Sequence, residues 1–352
     1  MNIFDLLSRL VELEGSDLHL IVGSQPYFRV DGELAPVENT PILDSQSVEV
    51  LINPLLSDEQ KEMVQVNKEL DLGYQFENKA RFRINVYFTK GTLAAALRLI
   101  PQKIKTIEEL NLPQDLHRLV KYNQGLVLVT GPTGEGKSST LAAVIDQINQ
   151  QRAEHILTIE DPIEYVYQTQ KSIISQREMN HDTQDWTLAL KAALREDPDV
   201  VLVGEMRDYD TIAATITLAE TGHLVFATLH TGTAAQTMDR IVDVFPATQQ
   251  GQVRQQLANT IVSVVSQRLI PRVDGGRIPA VELMFANDAI RNLIREGKTF
   301  QIDNVIQTSG QQGMMLIETH LSQLLQQGLI TKDTALRHAF RPNEMQRIFG
   351  EA

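Results

Sequence analysis

The sequence predicts an α/β protein in two parts: a small α+β domain, then a larger domain built on a mostly parallel sheet. Three observations carry that expectation. Apolar and polar residues alternate with period two over 70–76 and 80–88, as in antiparallel strands with one covered face. Four short apolar runs at 126–130, 156–159, 200–203 and 224–229 are separated by helical stretches, the texture of parallel βαβ units. The first of these runs leads straight into Gly131-Pro132-Thr133-Gly134-Glu135-Gly136-Lys137-Ser138, which opens the helix-prone stretch Leu141-Ala142-Ala143-Val144-Ile145.

The elements follow in order. Ile3, Phe4, Leu6, Leu7, Leu10, Val11 and Leu13 have helical spacing over 3–14. Leu18-His19-Leu20-Ile21-Val22 and Tyr27-Phe28-Arg29-Val30 read as strands, and Asp31-Gly32 as a hairpin turn. Residues 44–66 read as helix, before the alternating strands at 70–76 and 80–88. Ile100-Pro101 and Leu112-Pro113 bracket a connector, because proline biases its predecessor away from helix. The expected division is therefore a first domain over 1–99, a linker over 100–113 and a second domain over 114–352. From 285 onward the pattern is chiefly helical, and the Gln-rich pieces at 249–256 and 323–327 lie on helical periods.

Composition narrows the function classes. A chain of 352 residues, 42% of them hydrophobic, has material for about two cores. No apolar run approaches the roughly 18 residues that a membrane helix needs, so direct membrane insertion is not expected. The start Met1-Asn2-Ile3-Phe4-Asp5 lacks the basic-then-apolar pattern of a signal peptide, which predicts a cytoplasmic protein. The absence of cysteine excludes disulfides and thiolate metal sites. A net charge of −13 argues against a dominant nucleic-acid surface, because that requires clustered Lys and Arg.

The glycine-rich loop has the form G-x-x-x-x-G-K-S in the strand-to-helix setting of a phosphate-binding P-loop. Its glycines let successive N–H groups face one anion at a helix N-terminus. Gly131, Pro132, Thr133, Gly134, Glu135 and Gly136 would wrap a nucleoside triphosphate. Lys137 would reach its terminal phosphates, and Ser138, with Ser139 beside it, would place a hydroxyl for Mg²⁺.

Hydrolysis needs a group that activates water. In Asp199-Val200-Val201-Leu202-Val203-Gly204-Glu205, a buried-type strand delivers Glu205 to its C-terminal end, where open α/β sheets place ligands. Gly204 stands where an Asp is usual, so Mg²⁺ would lean on Ser138, phosphate oxygens and water. A carboxylate capping the next helix is the structural alternative for Glu205. Glu160 and Glu164, in Ile159-Glu160-Asp161-Pro162-Ile163-Glu164, follow another strand end and would face the same crevice. They would support Mg²⁺ through water or polarise the attacking water. An acidic turn that only solvates the loop is the alternative there. His223 and His230 flank Leu224-Val225-Phe226-Ala227-Thr228-Leu229; their odd separation puts them on opposite sides, which argues against one metal site. His230, at the strand end, is placed to sense the γ-phosphate. Arg81 and Arg83 share one face of a strand whose other face is Phe82, Ile84 and Val86; they would either solvate the sheet or act as arginine fingers.

Taken together, the P-loop at 131–138, the aspartate box at 156–165, the atypical Walker B segment at 197–208 and the histidine box at 221–230 resemble the secretion-superfamily ATPases. These are the hexameric motors of type II secretion and type IV pili. Ser16-Asp17-Leu18-His19-Leu20 resembles the family's opening, and Ala289-Ile290-Arg291-Asn292-Leu293-Ile294-Arg295-Glu296 resembles a segment of the PilT-type retraction branch. The resemblance covers essentially the whole chain. It implies a PAS-like N-terminal domain, a RecA-like ATPase domain and a homohexameric ring. ATP would lie between the domains, with Arg81 and Arg83 reaching the phosphates. The segment Ser266-Gln267-Arg268-Leu269-Ile270-Pro271 would lie near the adenine, so Leu269 and Pro271 are expected cofactor contacts. The implied activity is ATP hydrolysis that rotates the domains. It would act on an inner-membrane pilus platform protein to retract pili, in some settings with a PilU-type paralogue.

The PilU-type accessory motors, the secretion ATPases and a nucleotide-gated assembly module with weak turnover are the alternatives. The match at 289–296 and the lack of a tetracysteine zinc module favour the retraction branch. Glu135 departs from the small residue usual at its position, and a carboxylate there would repel phosphate unless it points away.

Overall fold

The computed structural model describes residues 2–30, 32–77, 79–100 and 103–350, so Asp31 of the expected turn and Pro101 of the expected connector lie outside it. Two compact units form, one from residues 1–103 with 162–166, the other from 104–161 with 167–352.

The first unit carries β1 (Asp17–Leu20), β2 (Tyr27–Val30), β3 (Glu33–Pro36), β4 (Glu69–Phe76), β5 (Ala80–Thr89) and β6 (Thr92–Ile100). They form an antiparallel sheet in the order β3-β2-β1-β6-β5-β4. Helix α1 (Ile3–Glu12) buries Ile3, Leu6, Leu7 and Leu10 in a core shared with Phe82, Ile84 and Val86 of β5. The helical stretch expected over 44–66 holds two helices, α2 (Ser45–Ile52) and α3 (Asp58–Asn67). Pro54 lies in a tight 3₁₀ turn between them, and Ser57 starts α3 afresh through a reciprocal capping box with Gln60.

The second unit carries β7 (Gly125–Thr130), β8 (His155–Glu160), β9 (Ile173–Glu178), β10 (Val200–Val203), β11 (Leu224–Leu229), β12 (Ile261–Pro271) and β13 (Arg277–Phe285). Their order is β13-β12-β7-β11-β10-β8-β9, parallel at every neighbour except the antiparallel β12–β13 pair. The inner strands β7, β10 and β11 are buried at every position, which is why they read as continuous apolar runs. Helices α4 (Lys137–Gln151), α5 (Trp186–Ala193), α6 (Tyr209–Glu220), α7 (Ala234–Asp243) and α8 (Ala247–Thr260) connect them. Beyond β13 come α9 (Asp288–Glu296), α10 (Ile302–Thr308), α11 (Ile317–Gln326), α12 (Lys332–His338) and α13 (Pro342–Ile348). Because β7, β8, β10 and β11 run the same way, residues 131, 161, 204 and 230 all leave the sheet at its carboxyl edge.

Candidate nucleotide-binding and hydrolytic site

Residues 131–138 form the link from β7 to α4. Gly131, Gly134 and Gly136 have φ of 144°, 81° and 80°, values that L side chains avoid. At Gly131 space is also closed, because an added Cβ would lie 2.3 Å from the Gln267 carbonyl oxygen. Helix α4 begins at Lys137 with no side-chain cap, so its first-turn N–H groups remain open to an anion. The buried Lys137 ammonium donates to the carbonyls of Gly131 (2.8 Å) and Pro132 (2.9 Å), curling back over the loop it is meant to serve. Pro132, Thr133 and Gly134 are exposed, while Ser138 and Ser139 are half-buried in the first turn.

β12 holds this loop in place. The Thr130 hydroxyl meets that of Ser266 at 2.9 Å. The buried Gln267 side chain donates to the Glu135 carbonyl (2.7 Å) and accepts from the Thr140 hydroxyl (2.6 Å). The Glu135 carboxylate accepts from the Leu269 N–H. It turns to β12, where the sequence left it a choice between phosphate and solvent. Gln267 and Thr140 are positioning residues whose importance sequence reasoning missed, because nothing local pairs positions so far apart. Leu269 is half-buried near the end of β12, and Pro271 is exposed.

At the neighbouring strand ends, Glu205 and His230 meet. Glu205 Oε1 lies 2.9 Å from His230 Nε2, and its Oε2 accepts from Arg207 Nε at 2.8 Å. The approach is built by the backbone: Met206 N–H donates to Thr228 O, and the Thr228 hydroxyl donates to Gly204 O. Glu205 does not cap the following helix; Asp208 does, through the Thr211 N–H. Both carboxylate oxygens are engaged, so taking a proton from water requires one partner to let go. Gly204 has its own reason to lack a side chain, since an added Cβ would sit 3.2 Å from Ile159 O and 3.3 Å from Glu160 Cα. His223 faces elsewhere, its Nδ1 at 3.0 Å from Leu218 O at the end of α6.

Glu160 ends β8 and is 8% exposed, in register with the buried Glu178 of β9. Its Oε1 accepts from Gln176 Nε2 at 3.4 Å. The half-buried Ser138 hydroxyl is a hard oxygen donor of the kind that Mg²⁺ takes, so Ser138 fits that ion. Glu164 is exposed and belongs to the 162–166 stretch of the first unit. Arg81 and Arg83 lie on the same face of β5, opposite buried Phe82 and Ile84. Arg83 is held by Asp71 of β4 through Nε (3.0 Å) and Nη2 (2.5 Å), so its fork is already occupied by a carboxylate.

A family model described as type II/IV secretion system protein matches residues 2–341. The chain belongs to that family. It is 46% identical over 342 residues to the type IV pilus retraction ATPase PilT of Pseudomonas aeruginosa, covering 97% of this chain and 99% of that protein. To the type IV pilus ATPase PilU of the same organism it is 38% identical, covering 98% of this chain and 91% of the relative. Among solved structures, that of the pilus retraction motor PilT with bound ADP matches at a TM-score of 0.92 and 44% identity, covering 99% of each chain. The mixed α/β fold, with an N-terminal domain and a RecA-like domain, is thus the fold of this family.

Proposed function

We propose that this chain is an ATP-hydrolysing motor that powers retraction of type IV pili, and with it twitching motility. The observation that carries the proposal is that the phosphate loop follows β7 while His230 and Glu205 meet at the carboxyl ends of the adjacent strands β11 and β10. The higher identity to PilT than to PilU, and the retraction-type segment at 289–296, support retraction over an accessory role.

In this mechanism the open N–H groups of α4 and the loop glycines bind the triphosphate, and Lys137 exchanges the Gly131 and Pro132 carbonyls for phosphate oxygens. Glu205 accepts the proton of the attacking water once Arg207 or His230 releases one of its oxygens. His230 thereby links the state of the γ-phosphate to the loop that enters α7. Ser138, with Glu160 acting through water, would hold Mg²⁺, which would supply positive charge to the phosphates. Arg81 and Arg83 act as arginine fingers, Arg83 after leaving Asp71, and Glu164 orients water. Leu269 and Pro271 line the adenine. The working assembly is a homohexamer at the inner membrane that acts on the pilus platform protein, with a PilU-type paralogue as an additional partner.

The test is an ATPase assay beside a twitching assay. Lys137→Ala is expected to lose turnover, and Glu205→Gln to bind ATP without hydrolysing it. Neither variant should restore twitching to a deletion strain. Normal turnover in Lys137→Ala sinks the site assignment. Full twitching in a strain lacking the gene sinks the retraction role.

A further inference from the structure

An anion-binding loop that carries its own carboxylate works against its ligand unless that carboxylate has another task. The structure supplies the task. β12 pairs with β7 as far as Ser266↔Thr130, where β7 ends and the chain turns into the phosphate loop. On its other side Leu269 lies opposite Pro279 of β13. The Leu269 N–H points to the side that β7 no longer covers, and an unmet backbone donor on a half-buried strand is costly. The Glu135 carboxylate meets it. The same residue's carbonyl accepts from Gln267 Nε2 at 2.7 Å, so one loop residue is fastened to β12 at both ends. Glu135 thus prolongs the β7–β12 hydrogen bonding beyond the point where the strand itself has stopped.

We propose that Glu135 is a positioning residue for nucleotide binding: by holding Leu269 N–H it keeps the phosphate loop in its binding shape before nucleotide arrives. Ordering a loop in advance removes that entropic cost from the binding step, so the effect belongs in KM and not in kcat. The proposal rests on the assignment of 131–138 as the ATP site.

The decisive comparison is Glu135→Gln with Glu135→Ala in the full chain. Both variants lose the charge, so repulsion of phosphate cancels between them. Only Gln keeps an oxygen that can accept from Leu269 N–H. Glu135→Ala is expected to show a KM for ATP about tenfold above that of Glu135→Gln, with kcat within about twofold, the effect of one hydrogen bond. Hydrogen exchange of the nucleotide-free protein, followed on the peptide that contains Leu269, should be about tenfold faster at that amide in Ala than in Gln. Glu135→Ser, too short to reach Leu269, should behave as Ala and stands in for it if Ala does not fold. Equal KM values and equal exchange for Gln and Ala would overturn the proposal. ATP turnover that survives in Lys137→Ala overturns the site assignment instead; the exchange difference at Leu269 would then persist without any KM difference.

Discussion

At the residue scale, the chemistry depends on which partners each polar group has. Glu205 sits between His230 and Arg207, so the proposed role as base requires the release of one of them. Gly131 is the sharpest steric test, since both its φ and the Gln267 carbonyl forbid a side chain. Gly131→Ala is expected to cost roughly 1–3 kcal/mol and to abolish ATP binding; unchanged melting and binding would contradict the loop geometry. His320 is a second residue with a definite consequence. Its Nδ1 accepts from Val281 N–H at 3.0 Å, and burial holds its pKa down at about 4, against an ordinary value of 6.5. The neutral ring is therefore favoured by folding. Its stabilisation is full above pH 6.5 and is lost as pH falls through about 4. The expected loss is about 3 kcal/mol. Thermal melts at stepwise lower pH should fall less steeply for His320→Gln than for the parent. Identical pH profiles would remove His320 from the account.

At the element scale, helices are joined by caps as much as by apolar faces. Arg291 of α9 donates to the carbonyls of Ala258 (2.5 Å) and Asn259 (3.0 Å) near the C-terminus of α8. Burial lowers the guanidinium pKa from the usual value, and the two carbonyls are what hold the side chain at the end of α8. Arg295 instead donates to Asn292 Oδ1 within its own helix at 2.6 Å. Arg291→Ala should lower stability by about 1–2 kcal/mol, measured by denaturant unfolding, and Arg295→Ala by much less. Equal stabilities would refute the cap. Twitching assays on Arg295→Ala therefore probe the exposed side of the 289–296 segment more directly. Element boundaries also show where sequence patterning stops being informative. The central strands β7, β8, β10 and β11 were legible because burial on both faces leaves a continuous apolar run. β12 was not, because it follows α8 at Thr260–Ile261 with no glycine or proline between them. Edge strand β9 was missed as well, since Ser175, Gln176, Arg177 and Glu178 give it no apolar signature.

At the scale of the molecule, the C-terminal helices of the second unit are tied down by a buried charge cluster. Arg341 is held by Glu282 (3.2 Å), Glu318 (2.9 Å) and Asp303 (2.6 Å). Burial raises the pKa of Glu282 to about 7 against the pull of Arg341, and its other oxygen accepts from Ala234 N–H at the start of α7. One carboxylate thus connects β13, the entry to α7 and Arg341 at the start of α13. Removing the arginine strands two buried carboxylates, so Arg341→Ala should destabilise the chain by about 3–5 kcal/mol, read as a lower denaturation midpoint. A midpoint equal to the parent's would show that the cluster contributes nothing net. Light scattering at working concentration tests the hexamer, and a monomer in the presence of nucleotide would count against the proposed motor.

The sequence by itself determined the class of chemistry. The phosphate loop, its lysine and its serine are contiguous, and backbone curvature at 131–138 follows from local residue identity. The parallel sheet was equally local, since each inner strand carries its own burial in its composition. Only the tertiary structure decided that Glu205 meets His230, that Gln267 braces Thr140 and the loop, and that Glu135 binds Leu269, 134 residues away. Periodicity reports which face of an element is buried. It does not report which elements lie side by side, and hydrogen bonds between distant segments exist only once the strand order has been set.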